Sequence, residues 1–436
     1  MKKTLIKNGR LIDPSQGIDG AFDLLISGDK IAQVAPQGRT SAADAEIIDA
    51  KGMVVSPGFI DMHTHLREPG FEYKETIASG TAAAVSGGFT SVCCMANTDP
   101  VNDNASVTDY INRKAHDSGF CRVYPIGAVT KGLKGEELAS IAELKTSGCV
   151  AISDDGNTLQ DGNMMRLALS YAKGFDLPVI THSMDKSLSE NGHMNESFMS
   201  TKLGIKGIPN AAEDIMIARD IMLAELTGAH VHVAHLSTRQ GIRLVKEAKQ
   251  RGIKVTCEVT PHHFTLTDAS LSDYNTNFKM SPPLRSADDV RAIKEALSEK
   301  NIFDAIATDH APHGIIDKEI EFDKAASGII GLETALPLAL ALVRDGVLGL
   351  DEMIRLFTMG PAGVLGLSGG TLKEGAAADI TIFDPDHAWV LDRRRIVSKS
   401  KNSPFIDMPL KGRAIKTIVS GKLVFDAMRG QTGVHS

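Results

Sequence analysis

Residues 230–260 read HVHVAHLSTRQGIRLVKEAKQRGIKVTCEVT. A short apolar run is followed by a segment with apolar residues at helical spacing that ends in glycine, and then by a second apolar run. A strand, a helix and a strand in that order make a crossover unit, and a helical crossover is what parallel strands require. Working outward, the unit recurs along the chain. The runs FIDMHTH, TSVCCMA, RVYPIGAV, CVAIS, PVITHS, HVHVAHLS, KVTCEVT and FDAIATDH are followed by helix-sized segments such as TIASGTAAAVSGG, NMMRLALSYAKG and AAEDIMIARDIMLAELTG. Eight such units predict an α/β fold of the (β/α)8, TIM-like barrel type, because closure removes the exposed sheet edges.

The ends of the chain have a different texture. TLIKNGRLI, DLLISGDKIAQV and AEIIDAKGMVV near the start, and AADITIFD and KTIVSGKLVFDA near the end, are short apolar runs separated by turn pairs. They predict a small β-sandwich domain assembled from residues 1–55 and 366–436, around a barrel over 56–365.

Composition bounds the partners. The 436 residues are 42% hydrophobic, enough for a sizeable core, and carry a net charge of −7. Neither sign forms a run of five, which argues against a nucleic-acid or anionic-membrane surface and for a small-molecule substrate. Lys7, Asn8 and Arg10 interrupt the N-terminal apolar stretch before a signal-peptide core could form, and no stretch approaches the roughly 18 apolar residues of a membrane span. A cytoplasmic protein is expected. Cys93, Cys94, Cys121, Cys149 and Cys257 lie in apolar runs and read as reduced, packed thiols.

In a barrel of this kind the active site lies at the C-terminal strand ends. His63 and His65 close the first run, two apart and so on one face. Asp154 and Asp155 close the fourth, His182 the fifth, His235 the sixth and Asp309 the eighth. On the sixth run, His230 and His232 share the face opposite His235, and only His235 lies at the C-terminal end. His262 and His263 follow the seventh run and could line the mouth, but they come after a strand that carries Glu258 and are set aside as ligands; His116, His193, His387 and His435, away from the strand ends, read as surface or packing residues. Imidazoles and carboxylates converging on one mouth suit Zn²⁺ or a similar divalent ion, and six ligands exceed what one zinc takes. Two ions sharing a carboxylate and a hydroxide make a nucleophile at neutral pH and polarise a carbonyl, which is machinery for metal-assisted hydrolysis. GLSGG, residues 366–370, matches the serine nucleophile elbow, but it leaves a helix for the β-rich tail and reads as a loop.

The motifs HLREPG, SDDG, ITHS, VAHLST and ATDHAPH, together with the stretch from Pro57 to Pro100, resemble the dihydroorotases of the amidohydrolase superfamily, in particular the bacterial type I enzymes. The resemblance runs from the N-terminal strands to the C-terminal tail. It implies that His63 and His65 hold one metal and that His182 and His235 hold the other. Asp155 rather than Asp154 would bridge them, in place of the carboxylated lysine of many relatives. Asp309 would contact the first metal and carry the proton. On the substrate side, Arg67, Asn97 and His313 match carboxylate-binding positions, His65 is a further substrate-binding position, and Ser327 and Gly328 match ring-contacting backbone. Ser281 replaces a substrate-contacting asparagine. The plain alternative for Arg67 is a salt bridge with Glu68.

The implied reaction is reversible hydrolysis of dihydroorotate to N-carbamoyl-aspartate in pyrimidine biosynthesis. The resemblance also implies a homodimer, association with aspartate carbamoyltransferase and a lid near residues 314–328. Rival readings are a cyclic amidohydrolase of neutral rings, such as hydantoinase, dihydropyrimidinase or allantoinase, and a metal-free scaffold homologue.

Overall fold

The computed structural model describes residues 2–40, 44–428 and the short strand Gln431–Thr432; His435 lies outside the described residues. The eight expected barrel strands are present: Phe59–Thr64, Phe89–Cys94, Arg122–Gly127, Ala151–Ser153, Val179–Thr181, Val231–Val233, Val255–Val259 and Ala305–Ile306. Each pairs in parallel with the next in chain order. The first and last meet through a parallel bridge between Thr64 and His310, where the His65 amide donates to the His310 carbonyl at 2.8 Å. That bond joins the two ends of the barrel beside the strand ends richest in histidine.

The helix of the opening quotation spans Arg239–Gln250. The Thr238 hydroxyl caps its start by accepting from the Gly241 amide, and Gly252, at φ +78°, takes the left-handed backbone that turns the chain into the next strand. Its buried face, Ile242, Val245 and Ala248, joins the main core with the outward-facing Val231 and Val233. Inside the barrel a smaller cluster holds Met62, Cys93, Ile126, Ala151, Ile180 and Ala305. The interior is therefore packed, and room for chemistry remains only at the strand ends.

Both termini build one mixed sheet of ten strands that curls over a common core. Its N-terminal and C-terminal halves meet where Val54–Pro57 pairs antiparallel with Ile380–Val390. Ile6, Leu11, Leu24, Ile26 and Ile48 from the N-terminal half pack with Leu372, Ile380, Ile382 and Ile418 from the C-terminal half. Val54–Pro57 crosses the expected boundary at residue 55, and only Gly58 separates it from the first barrel strand. GLSGG is a loop after the helix Met359–Leu365, with Ser368 exposed and Gly366 closing the helix at φ +67°. All five cysteines are free and buried. No described helix is long and apolar enough to cross a membrane.

Candidate metal centre

Six of the predicted side chains meet at the barrel mouth. His63 Nε2 lies 3.4 Å from Asp155 Oδ1 and 3.5 Å from Asp309 Oδ1. His65 Nε2 lies 3.1 Å from Asp309 Oδ1 and 3.5 Å from Asp155 Oδ2. On the other side of Asp155, His182 Nδ1 and His235 Nε2 are 3.5 and 3.7 Å from Oδ1, and 2.9 Å from each other. Two metal-sized groups result, His63/His65/Asp155 and Asp155/His182/His235, with Asp155 common to both.

The donor set fits a cation. Among the described residues His63 Nε2 and Asp155 Oδ1 are buried with no hydrogen-bond partner, which is costly unless something positive sits between them. Burial disfavours charge on His63, yet Asp155, Asp309 and Glu258 outweigh it and push its pKa well above the ordinary imidazole range. The carboxylates thus call for positive charge at the mouth. Burial would raise the pKa of Asp309, and the surrounding histidines instead hold it below the ordinary carboxylate range. Nitrogen and oxygen ligands of this kind suit zinc and its first-row neighbours.

Local backbone explains the convergence. The first strand carries a register shift between Asp61 and Thr64, the mark of a bulge, and bulges re-aim side chains beside active sites. Alternation alone would place His235 on the outward face with Val231 and Val233. The strand stops at Val233, and His235 takes a left-handed backbone, φ +35°, that turns it into the mouth. Arg67 and Asp309 are also left-handed, at +63° and +48°. Such conformations are held where the surroundings over-determine them.

The substrate-side candidates surround this cage. Arg67 Nε donates to the Pro312 carbonyl at 3.2 Å and its Nη2 lies 3.4 Å from His313 Nε2. The Arg67–Glu68 salt bridge does not form: Glu68 is buried against Lys114 at 3.2 Å and accepts from the Ile77 amide. Among the described residues Arg67 has no carboxylate partner, and burial lowers its pKa to about 10. His313 Nε2 reaches the Ser327 carbonyl at 2.9 Å. Burial, with Arg67 and Lys74 nearby, keeps this imidazole neutral. Asn97 Oδ1 accepts from His65 Nδ1 at 2.9 Å, and Ser281 Oγ lies 3.3 Å from His182 Nε2, so both orient ligand-type rings. The backbone of Gly328 is engaged within the chain: its amide donates to Lys279, and its carbonyl accepts from Lys318 and Asn402.

A family model described as Dihydro-orotase-like matches residues 52–241, and one described as Amidohydrolase family matches 288–425. The dihydroorotase of Pelobacter propionicus is 53% identical over 421 residues, covering 97% of this chain and 99% of that protein. The chain belongs to the dihydroorotase family. The dihydroorotase of Syntrophotalea carbinolica is 54% identical with the same coverage. Among solved structures, L-hydantoinase (dihydropyrimidinase) from Arthrobacter aurescens superposes with a TM-score of 0.89 at 25% identity, covering 100% of this chain and 98% of that one. A dihydropyrimidinase from Brevibacillus agri shares the fold, with a TM-score of 0.84 at 24% identity.

In this dihydroorotase-family chain, Glu258 is the residue that reading the strand ends missed. Fully buried on the seventh strand, it accepts from His63 Nδ1 at 2.7 Å and leaves Nε2 facing the cage. An acid in the middle of the apolar run KVTCEVT was the available signal, since a buried carboxylate demands partners. The two neighbours of Asp155 and Glu258 divide likewise. Asp154 accepts from the Val129 and Thr130 amides at 2.8 and 3.1 Å and from the Thr130 hydroxyl, and so turns away from the cage. His263 is spent on Thr260 and the Pro282 carbonyl, whereas His262 Nε2 has no partner among the described residues.

Proposed function

We propose that the chain is a cytoplasmic, zinc-dependent dihydroorotase that hydrolyses the ring amide of dihydroorotate reversibly to N-carbamoyl-aspartate in pyrimidine biosynthesis. The observation that carries this reading is Arg67, a partly buried guanidinium beside the metal cage with no carboxylate of its own. Dihydroorotate brings one. Relatives named dihydroorotase at 53–54% identity over nearly the whole chain support the same reaction.

His63, His65 and Asp309 would hold one zinc ion and His182 and His235 a second, with Asp155 between them. Bound there, the two cations supply a water of lowered pKa and a positive charge for the reacting carbonyl oxygen. The chain's own residues do the rest. Arg67 and Asn97 hold the substrate carboxylate, which fixes the ring over the cage, and His313, its one N–H given to the Ser327 carbonyl, borders that carboxylate beside Arg67. Ser281, Ser327 and Gly328 border the ring. Asp309 takes the proton from the attacking water and delivers it to the ring nitrogen as the amide bond breaks. Exposed Leu167 and Tyr171 on the helix Gly162–Lys173, with Ile215, Met222 and Leu226 on the neighbouring Ala211–Thr227, support a homodimer. Association with aspartate carbamoyltransferase would hand over N-carbamoyl-aspartate directly.

The hydantoinase-like structures raise a neutral-ring alternative, and Arg67 separates the two readings. Zinc-loaded protein is expected to hydrolyse dihydroorotate and to leave dihydrouracil and hydantoin nearly untouched. Arg67→Met should lower kcat/KM for dihydroorotate about 100-fold, the equivalent of roughly 3 kcal/mol from a lost charge-assisted bond. Comparable turnover of the neutral rings by the unaltered protein would overturn the assignment.

A further inference from the structure

Beneath the metal cage a line of hydrogen bonds descends through the barrel interior to its opposite face. Glu258 Oε1 meets His63 Nδ1 at 2.7 Å, and Glu258 Oε2 meets His232 Nε2 at 3.3 Å. His232 Nδ1 lies 2.8 Å from Thr256 Oγ1, which lies 2.8 Å from His230 Nε2. Strand register produces this ladder: His232 sits directly across from Thr256, and Glu258 shares the interior face of Thr256 two residues on. His230 and Thr256 border a cavity of about 420 Å³ with Lys173 and Lys254, at the N-terminal ends of the strands.

The carboxylate sets the direction of the two bonds it accepts. A carboxylate only accepts, so His63 Nδ1 and His232 Nε2 both carry protons toward Glu258. In the Nε2–H tautomer His232 presents a lone pair at Nδ1, which the Thr256 hydroxyl satisfies. Having spent its one proton, that hydroxyl must accept from His230 Nε2. Neutral His230 agrees with this, since burial lowers its pKa to about 4.

We propose that Thr256, His232 and His230 are positioning residues for the metal centre, a hydrogen-bond chain that holds the Glu258 carboxylate in place behind His63 Nδ1 and so keeps Nε2 aimed at the cation. The chain ends at a cavity on the face remote from substrate, and the cage is therefore sensitive to changes made there. This rests on His63 being a metal ligand.

Thr256→Val keeps the side-chain shape, removes the central hydroxyl and touches no ligand. It should speed zinc release to excess chelator about tenfold or more, the usual effect of losing a partner behind a ligand. In the zinc-loaded protein the Nδ1 ¹⁵N signal of His232 should shift as that atom loses its hydrogen bond, while Nε2 keeps its proton toward Glu258. Thr256→Ser should restore both readouts, and His230→Gln should move them less in the same direction; these two variants carry the test if Thr256→Val does not fold. Unchanged zinc release in Thr256→Val, whatever the His232 signal does, would overturn the proposal. Failure of the unaltered protein to bind zinc would instead overturn the ligand assignment on which it rests.

Discussion

Asp154 and Asp155 are adjacent and chemically identical, yet the fold uses them in opposite ways. Asp154 is saturated by the Val129 and Thr130 amides and the Thr130 hydroxyl, and it locks the third strand end to the fourth. Asp155 leaves Oδ1 without a hydrogen-bond partner among four imidazoles. Asp154→Asn should keep the full zinc content while lowering stability by about 2–4 kcal/mol, the scale of losing charge-assisted bonds to buried amides. Asp155→Asn should cut zinc content, read by metal analysis after dialysis, with a smaller loss in urea midpoint. The reverse pattern would reassign the pair. The sequence placed ligand-type residues at strand ends because residue type and spacing are local properties. It left Asp154 and Asp155 unresolved without the family resemblance. It also could not show that Glu258 backs His63, that Asn97 backs His65 or that Ser281 backs His182. Those bonds depend on which strands face each other and on the left-handed turns at His235 and Asp309.

Between the long strands Ile380–Val390 and Pro409–Val419 the chain sends a strap across to the barrel mouth. Glu75 accepts from Ser398 and from the Lys399 amide, Glu333 accepts from the Val397 and Ser398 amides, and Asn402 holds His313 by its amide and Ala311 by its carbonyl. The C-terminal segment therefore steadies His313, the proposed neighbour of the substrate carboxylate. Residues 314–328, the expected lid, are tied to Lys279, whose Nζ donates to the Phe322 and Asp323 carbonyls, and are closed on themselves by Lys318 Nζ, which donates to those of Ala326 and Gly328. The eight strands and their helices were legible as periodic apolar runs. The strap was not, because side-chain bonds to backbone hold it and no apolar period marks it.

Glu333 makes the strap pH-sensitive. Burial raises its pKa to about 7, although the Val397 and Ser398 amides oppose the shift. Between the unfolded value near 4.3 and about 7 the folded state keeps a proton that the unfolded state has released. Stability is thus lost as pH rises through that window and falls no further above it. Glu333→Gln cannot ionise, so urea midpoints should show it gaining on the unaltered protein from pH 5 to pH 8, by a swing on the order of 3 kcal/mol. Parallel curves would mean that Glu333 ionises normally in the folded protein.

At the scale of the molecule, the terminal sheet and the barrel are built to unfold together. The sheet needs both chain ends, since Leu11 and Ile26 pack against Ile380 and Ile418, and the Asp13 carboxylate caps the Leu372 amide at 2.7 Å. The sheet passes into the barrel with only Gly58 between their strands, and Arg122 at the base of the third barrel strand pairs with Asp379 at 3.0 Å. Trp389, the single tryptophan, is a local reporter of the terminal sheet: its Nε1 donates to the Gly412 carbonyl at 2.9 Å and Arg413 lies over its ring at 5.2 Å. Helical circular dichroism reports the barrel, whose crossovers supply the long helices. If shared strands and a shared core make one cooperative unit, tryptophan fluorescence and the helical signal should give coincident transitions in urea. Chelating the metal should shift both midpoints downward together, because a cation that binds only the folded state stabilises everything that must unfold with the site. A fluorescence transition that precedes the helical one, or that ignores the chelator, would show that the terminal sheet opens independently of the barrel.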